Sequence, residues 1–289
     1  MKERNYIMKK ILIIALTLSL ALGTLTACGG KTEPEAGGLT GKVVVAGSTS
    51  VQPLSEELAA AFMDANPDVS VEIQGGGSGV GIKAAQEKIA DFGASSRELK
   101  DEEKATITNE YVIAKDGIAV ILDPANTVKD LTLDQIKQIF TGKITNWKEV
   151  GGADAAIVVV SREEGSGTRG AFIEITKVSE KDAAGNAVDN TTTNALVQPS
   201  TGAVKQTVAS TPYTIGYASI GALDDTVQAI KVEGVDATEA NVLSGDYKVS
   251  RPFLYLSNGE LSPAAQAFLD FILSAEGQAI VGMDYIPVN

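Results

Sequence analysis

Three short segments combine hydroxyl side chains with glycine, and one of them adds an arginine. Their sequences are AGSTSVQP at 46–53, GGGSG at 75–79 and REEGSGT at 162–168. Each follows a β-branched run that predicts a strand and precedes a helical pattern. The first N–H groups of a helix lack internal partners and carry partial positive charge, so they can bind a small anion. Ser and Thr are also ordinary helix caps, and one such segment alone indicates little. Three together predict an oxyanion site.

Arg162 gives the third segment a full positive charge. A guanidinium can donate two parallel, charge-assisted hydrogen bonds to the oxygens of a tetrahedral oxyanion. We interpret Glu164 as the carboxylate that could hold this guanidinium in place. Its neighbour Glu163 could do the same, but it is equally well interpreted as a solvated surface charge.

Several classes of enzyme are excluded by composition. The chain has no histidine, so neither a Ser-His-Asp triad nor a His-based metal site can be built. No G-x-x-x-x-G-K-[ST] motif is present. Glu102 and Glu103 lie in a charged stretch, 98–104, that is most simply an exposed helix face. The remaining donors lack a nucleophile–base pair, which favours a binding site without catalysis, cofactor or metal.

The first 27 residues have the pattern of a secretory signal. Lys9 and Lys10 precede an apolar run, 11–22, that is shorter than the roughly 20 residues a membrane-spanning helix needs. The following Leu25-Thr26-Ala27-Cys28 resembles the lipobox of bacterial lipoproteins, in which the cysteine is acylated. We therefore expect an extracytoplasmic protein anchored to the cell membrane through Cys28, with residues 28–39 as a flexible tether.

The charge balance argues against one class of partner. Without residues 1–27, 20 basic and 36 acidic residues leave a net charge of −16. A nucleic-acid-binding protein would instead present a basic face. An anion site is compatible with this charge, because a buried site is governed by local dipoles and is screened from distant charges.

Short β-branched runs alternate with helical segments along the rest of the chain. We predict strands at 42–46, 69–73, 156–160 and 215–218, and helices at 53–65, 79–90, 133–140, 170–175 and 262–275, the last capped by Gly277. The polar segment 181–194 is interpreted as a surface loop or irregular insertion. This alternation predicts an α/β fold with largely parallel sheets.

Six motifs occur in the order found in one known family. They are AGSTS (46–50), GGGSG (75–79), DFGASSR (91–97), IFTGKITNW (139–147), REEGSGT (162–168) and IGY (215–217). Across nearly the whole mature chain they make the protein similar to the phosphate-binding lipoproteins of phosphate-specific ABC transporters.

The resemblance implies a two-lobed periplasmic-binding-protein fold, type II-like. Each lobe would be a mixed, mostly parallel sheet flanked by helices. Residues 40–115 and 251–289 would form lobe 1, and residues 116–250 lobe 2, with two hinge segments near 113–120 and 249–256. Trp147 would pack the second lobe. The protein would be a monomer that takes phosphate to the permease subunits of an importer.

The resemblance also implies the phosphate-binding residues. They are Thr49 and Ser50 from the first segment, Ser78 from the second, and Arg162, Ser166, Gly167 and Thr168 from the third, with Ser48 as an additional candidate.

One position departs from part of the family. Some members carry an aspartate where this chain has Ser96, and that carboxylate accepts the proton of monohydrogen phosphate and repels sulfate. Ser96 can still bond the ligand, but it cannot exclude sulfate by charge. Arg97 is either a second anion ligand or an outward salt-bridge partner.

Three alternatives follow. The same fold could bind sulfate, molybdate or an organophosphate. The protein could be a secreted phosphoester hydrolase, which the missing histidine disfavours, or an adhesin or signalling subunit that retains the fold.

Overall fold

Residues 38–289 are described by the computed structural model. The predicted signal sequence, Cys28 and residues 28–37 of the tether lie outside the described residues. Within the described part, the helices α1 to α9 are Gln52–Ala65, Ser78–Gln86, Asp101–Lys104, Leu133–Phe140, Gly167–Ile175, Thr201–Ser210, Glu239–Ser244, Pro263–Leu273 and Ala275–Val281.

Thirteen strands accompany these helices in the described part of the chain. Strands β1 to β13 are Gly41–Gly47, Val69–Gly75, Phe92–Ser95, Asn109–Leu122, Asp130–Leu131, Val158–Arg162, Ser179–Lys181, Ala187–Asp189, Leu196–Gln198, Thr214–Ser219, Gln228–Ala229, Lys231–Val232 and Ser250–Ser257. Short 3₁₀ helices cover Trp147–Val150 and Ile220–Ala222.

The main sheet has the strand order β2-β1-β3-β13-β4-β10-β6-β9. Its two outer parts are parallel: β1 pairs with β2 and β3, and β6 pairs with β9 and β10. The central pairs β3–β13, β13–β4 and β4–β10 are antiparallel. Parallel strands direct their carboxyl ends to one edge of a sheet, so the loops that follow β1, β2 and β3 lie together, as do those that follow β6 and β9.

Two strands, β4 and β13, run between the two parallel parts. A first hydrophobic cluster is built from residues within 43–114 and 253–285, and a second from residues within 118–249 together with Ile286. Trp147 is fully buried in the second cluster, and its indole N–H donates to the Tyr213 carbonyl at 2.9 Å. The predicted structural role of Trp147 is confirmed. The exact lobe boundaries stay a prediction.

The local predictions differ from the structure at several element ends. Strand β6 lies two residues later than predicted, α2 ends at Gln86 instead of residue 90, and α5 begins three residues earlier than predicted. Gly277 does not cap α8. It lies inside α9, where a Cβ would come within 3.0 Å of the carbonyl oxygens of Phe271 and Ile272. Its role is close packing between two helices, so the capping prediction is wrong.

Other elements were not predicted from local pattern. The long strand β4 and the helix α6 are examples. Strand β8 lies within the segment 181–194, for which the prediction is a surface loop or irregular insertion. No helix within residues 38–289 is both long and apolar enough to cross a bilayer.

Candidate oxyanion-binding site

Four helices begin where the two parallel parts of the sheet face each other. Helices α1 and α2 follow β1 and β2, while α5 and α6 follow β6 and β9. We call the loops after β1, β2 and β3 the first half-site, and the loops after β6 and β9 the second half-site. Hydrogen bonds connect the two half-sites directly.

The first half-site is a cluster of buried serines. The Ser48 hydroxyl donates to Ser96 Oγ at 2.9 Å, and Ser78 Oγ lies 3.3 Å from the same atom. The Ser96 N–H also donates to Ser78 Oγ at 3.1 Å. All three residues are at most 3% exposed. Three separate loops thus bring their hydroxyl groups to one point away from solvent.

Ser50 carries the contact to the second half-site. Its hydroxyl lies 2.7 Å from Thr168 Oγ1 and 2.8 Å from Thr201 Oγ1, and all three side chains are buried. Thr168 is in the first turn of α5, and Thr201 opens α6. The Thr201 N–H donates to Thr49 Oγ1 at 3.3 Å. The N-terminal turns of α5 and α6 therefore face the loop that precedes α1.

Arg162 stands at the end of β6 with its guanidinium almost fully buried. Nη1 donates to Thr201 Oγ1 at 3.2 Å, and Nη2 donates to Thr49 Oγ1 at 3.1 Å. The guanidinium therefore faces hydroxyl groups of both half-sites.

The carboxylate that holds Arg162 is Glu163. Nε and Nη2 of Arg162 donate to its two oxygens, each at 2.8 Å. Glu164 is exposed. The prediction that Glu164 holds the guanidinium is wrong, because β6 continues extended through Arg162 and the following residue is the one that turns back beside it.

Glycines let the two half-sites approach closely. The Gly79 N–H, in the first turn of α2, donates to the Gly165 carbonyl at 2.9 Å across the gap. A Cβ on Gly167 would lie within 3.0 Å of Ser78 Oγ and Ser96 Oγ. The backbone of Gly167 thus lies against the serine cluster, where only a residue without a side chain fits.

Ser166 is the N-cap of α5 and is buried, and its Oγ accepts a hydrogen bond from the Arg169 N–H at 3.2 Å. The eight residues predicted to bind the ligand, with Ser48, therefore all lie at the junction of the half-sites. Eight of these nine residues are buried, and Thr49 is partly buried.

Arg97 does not belong to this network. It forms a bidentate ion pair with Glu103, with both N–O distances 2.7 Å, and each side chain is 16% exposed. This ion pair holds the short helix α3 against the loop after β3. Of the two interpretations of Arg97, the salt bridge is the one observed. The prediction that Glu103 lies on an exposed helix face is therefore wrong.

Two contributors were missed from the sequence. Thr201 was missed because α6 has few apolar residues and a weak helical pattern. Tyr217 lies on β10, the strand next to that of Arg162. Its hydroxyl forms a 2.9 Å hydrogen bond with Ser161 Oγ and accepts a second one from the Arg162 N–H at 3.2 Å. Burial raises the pKa of Tyr217 to about 12, so its phenol stays protonated at neutral pH and keeps both bonds.

A second buried guanidinium lies behind the serine cluster. Arg251 on β13 pairs with Asp116 on β4 at 3.0 Å, and its Nη1 donates to the Ser96 carbonyl at 3.1 Å. Glu163 and Asp116 are thus each paired with an arginine. Within residues 38–289, no group of three or more Asp, Glu, Cys or His side chains is arranged to hold a metal ion.

Comparison with known proteins identifies the family. A model of the PBP superfamily domain matches residues 32–276. The phosphate-binding protein PstS of Bacillus subtilis is 33% identical over 295 aligned residues, which cover 97% of this chain and 95% of that protein. This chain belongs to the PstS family of phosphate-binding proteins.

Solved structures agree with this PstS assignment. One is the crystal structure, with bound phosphate, of a substrate-binding protein assigned to a phosphate ABC transporter of Clostridium perfringens. It is 50% identical, covers 86% of this chain and all of that chain, and has a TM-score of 0.81. An ABC-type phosphate transport receptor from Vibrio cholerae is 34% identical, covering 84% and 99% of the two chains, with a TM-score of 0.70. The predicted two-lobed periplasmic-binding-protein fold is confirmed.

Proposed function

We propose that this protein is a receptor outside the cytoplasm that binds inorganic phosphate between its two lobes and delivers it to an ABC importer. The observation that carries the proposal is the junction of the half-sites. Buried hydroxyl groups from loops far apart in sequence meet there beside the guanidinium of Arg162. Hydroxyl groups and a guanidinium are donors that suit a small anion with several oxygens.

The ligand oxygens would be bound from both half-sites. The proposed phosphate-binding residues are Thr49, Ser50, Ser78, Ser96, Arg162, Ser166, Gly167 and Thr168. Ser48 and Thr201 are the hydroxyl groups that hold this set in place. The N-terminal turns of α1, α2 and α5 add partial positive charge at the same point.

Arg162 would be pre-oriented for this task. Glu163 fixes the edge of the guanidinium that carries Nε and Nη2 with two hydrogen bonds, and the adjacent edge, with Nη1 and Nη2, faces Thr201 and Thr49. A guanidinium that is already fixed loses little side-chain entropy when it binds a ligand.

Release of the ligand requires the half-sites to separate. We propose residues 40–115 with 251–289 as one lobe, residues 116–250 as the other, and β4 and β13 as the hinge. The two hydrophobic clusters, which meet these boundaries within a few residues, support this division. A hinge in two extended strands can absorb the dihedral changes of a closing motion.

Calorimetry of the phosphate-stripped soluble domain, residues 38–289, tests the proposal. We expect micromolar or tighter affinity for phosphate, on the order of −8 kcal/mol. Arg162→Ala should abolish measurable binding while the far-ultraviolet circular dichroism stays unchanged. Lys205→Ala, which removes a cation paired with Asp224 outside the site, is the matched control and should bind like the unmodified protein. Unchanged affinity in Arg162→Ala would contradict the site.

A second candidate ligand class follows from Ser96. Glu163 and Asp116 are each paired with an arginine, and Ser96 contributes a hydroxyl where a carboxylate could repel a fully ionised anion. Sulfate, molybdate or an organophosphate therefore remain candidates. Competition of each anion against phosphate at fixed pH decides among them, and a sulfate affinity equal to that for phosphate would overturn phosphate as the specific ligand.

We further propose that a lipid on Cys28 anchors the protein to the cell membrane, and that the receptor is a monomer docking on permease subunits without catalysis. The signal pattern and the sequence around Cys28 support the anchor. Metabolic labelling with a radioactive fatty acid tests it: Cys28→Ala should abolish the label and release the protein from membranes. Labelling that persists in the variant would refute the anchor.

A further inference from the structure

A buried ion pair joins the two strands that run between the halves of the molecule. Asp116 on β4 and Arg251 on β13 are direct register partners, and their side chains are 1% and 2% exposed. Arg251 Nε and Nη2 both donate to Asp116 Oδ2, at 3.3 and 3.0 Å. The guanidinium also lies 5.4 Å from the ring centre of Phe253.

The pair is bonded to both halves of the site's framework. On one side, Arg251 Nη1 donates to the Ser96 carbonyl at 3.1 Å. On the other, Asp116 Oδ1 accepts from the Ser219 hydroxyl at 2.9 Å, at the end of β10. Strand β10 also carries Tyr217, whose hydroxyl accepts from the Arg162 N–H. A chain of buried polar contacts therefore runs from the serine cluster through the ion pair to the strand beside Arg162.

Stability alone does not account for such a pair. Burying two charges is expensive, and a buried ion pair is often no more stabilising than apolar residues of the same volume. A guanidinium that donates a hydrogen bond from one nitrogen to a loop carbonyl also fixes the position of that loop. The loop in question carries Ser96, whose hydroxyl accepts from Ser48 and lies beside Ser78.

We propose that Arg251, held by Asp116, is the positioning residue of the oxyanion site. It fixes the Ser96 loop from the hinge strands and does not contact the ligand. The proposal rests on the proposed function, since the property it explains is anion affinity. By fixing this loop, Arg251 holds the serine cluster in the position from which the cluster contacts the second half-site.

Two variants test the proposal by calorimetry with inorganic phosphate. Arg251→Lys keeps the charge but cannot reach Asp116 and the Ser96 carbonyl in the same fork geometry. Asp116→Asn combined with Arg251→Met removes both charges, so that no unpaired buried charge prevents folding. We expect each to weaken phosphate binding by about tenfold or more, as is usual for residues coupled within one network. Affinity within about twofold of the unmodified protein in both variants overturns the proposal.

A double-mutant cycle with Ser96→Ala separates positioning from charge. If Arg251 acts by placing Ser96, the Asp116→Asn/Arg251→Met change should alter affinity by no more than about twofold once the Ser96 hydroxyl is gone. If Arg251 acts as a distant positive charge, the loss should be the same in both backgrounds and should shrink with added salt. An undiminished loss in the Ser96→Ala background overturns the positioning role.

Hydrogen exchange provides a test that needs no ligand. In the ligand-free protein, amides of the peptide 93–99 should exchange faster in both variants, whereas the peptide 133–140 in α4 should be unaffected. Unchanged exchange at 93–99 overturns the proposal. If the unmodified protein fails to bind phosphate, the proposed function falls, while the exchange result still decides whether Arg251 fixes this loop.

Discussion

At the scale of single residues, the site depends on groups that can reverse their hydrogen-bonding role. A serine or threonine hydroxyl both donates and accepts, so Ser48, Ser78 and Ser96 can satisfy each other and can equally turn toward an anion. Arg162 cannot do this, since a guanidinium only donates. It therefore needs acceptors at all times, and Glu163 and Thr49 provide them. A buried site built this way leaves few polar groups unpaired.

Tyr217 offers a test of how the strand end that carries Arg162 is fixed. Its hydroxyl accepts from the Arg162 N–H and is bonded to Ser161 Oγ, and all three groups are buried. Tyr217→Phe leaves both partners unsatisfied, which costs about 1–3 kcal/mol in the free energy of unfolding. We expect phosphate affinity to fall severalfold as well, because Arg162 loses its backbone anchor. Denaturant titration and calorimetry measure the two effects.

Tyr247→Phe is the matched control for this prediction. Tyr247 is equally buried, and its hydroxyl donates to the Ile118 carbonyl in the second hydrophobic cluster. Loss of that bond should lower the stability by a similar amount and leave phosphate affinity unchanged. If both variants weakened binding equally, the effect of Tyr217 would be one of general stability and not of position.

Residue types were easier to predict from the sequence than their partners. The hydroxyl-rich segments and Arg162 stand out because their chemistry is local to a few positions. The predicted partner of Arg162, Glu164, was wrong, since the choice between Glu163 and Glu164 depends on where β6 ends and how the chain turns after it. Thr201 is 39 residues from Arg162 along the chain, and only the sheet brings the two together.

At the scale of elements, local periodicity predicted α1 and α4 closely but missed α6 and the long strand β4. Helix α4 has the predicted bounds, and α1 differs by one residue at its start. In contrast, β4 pairs with β13, β10 and β11, which lie more than 90 residues away in sequence. Strand β4 therefore owes its length to tertiary pairing that no local pattern contains. Gly277 resembled a helix end because glycine is common there, yet packing between α8 and α9 explains it.

The start of α5 makes a prediction about close approach between elements. Gly167 lies against the serine cluster, and a methyl group there would come within 3.0 Å of the hydroxyl oxygens of Ser78 and Ser96. Gly167→Ala should therefore keep the half-sites apart and weaken phosphate binding by at least about a hundredfold, since a misfit in a packed contact costs about 1–3 kcal/mol and ligand bonds are lost as well. Calorimetry measures the loss.

Gly165→Ala is the control for Gly167→Ala, because nothing lies within 4 Å of a Cβ at that position. The Gly165 carbonyl still accepts from the Gly79 N–H in this variant. Affinity should remain within about twofold of the unmodified protein, as for other exposed substitutions. A similar loss in both variants would point to backbone flexibility of the loop and not to the contact with the serines.

At the scale of the whole molecule, an acidic protein is proposed to bind an anion. Residues 28–289 carry a net charge of −16. The guanidinium groups at the site do little to offset this at a distance, because Arg162 is paired with Glu163 and Arg251 with Asp116. Attraction in the site therefore comes from hydrogen bonds and helix ends, whose influence is limited to a few ångströms. We therefore expect the field that an approaching phosphate meets first to be repulsive.

This opposition predicts an unusual dependence of binding on salt. The Debye length falls from about 30 Å at 0.01 M to about 8 Å at 0.15 M ionic strength, which removes the long-range repulsion but not the contacts in the buried site. We expect the association rate constant for phosphate, measured by stopped-flow fluorescence, to rise roughly twofold over this range. The dissociation rate constant should change little, because the closed site excludes solvent ions. Repeating the series with sodium acetate in place of sodium chloride separates screening from competition by one particular anion. An association rate that falls with salt in both series would mean that unpaired positive charge at the cleft, and not the net charge, governs the approach of the ligand.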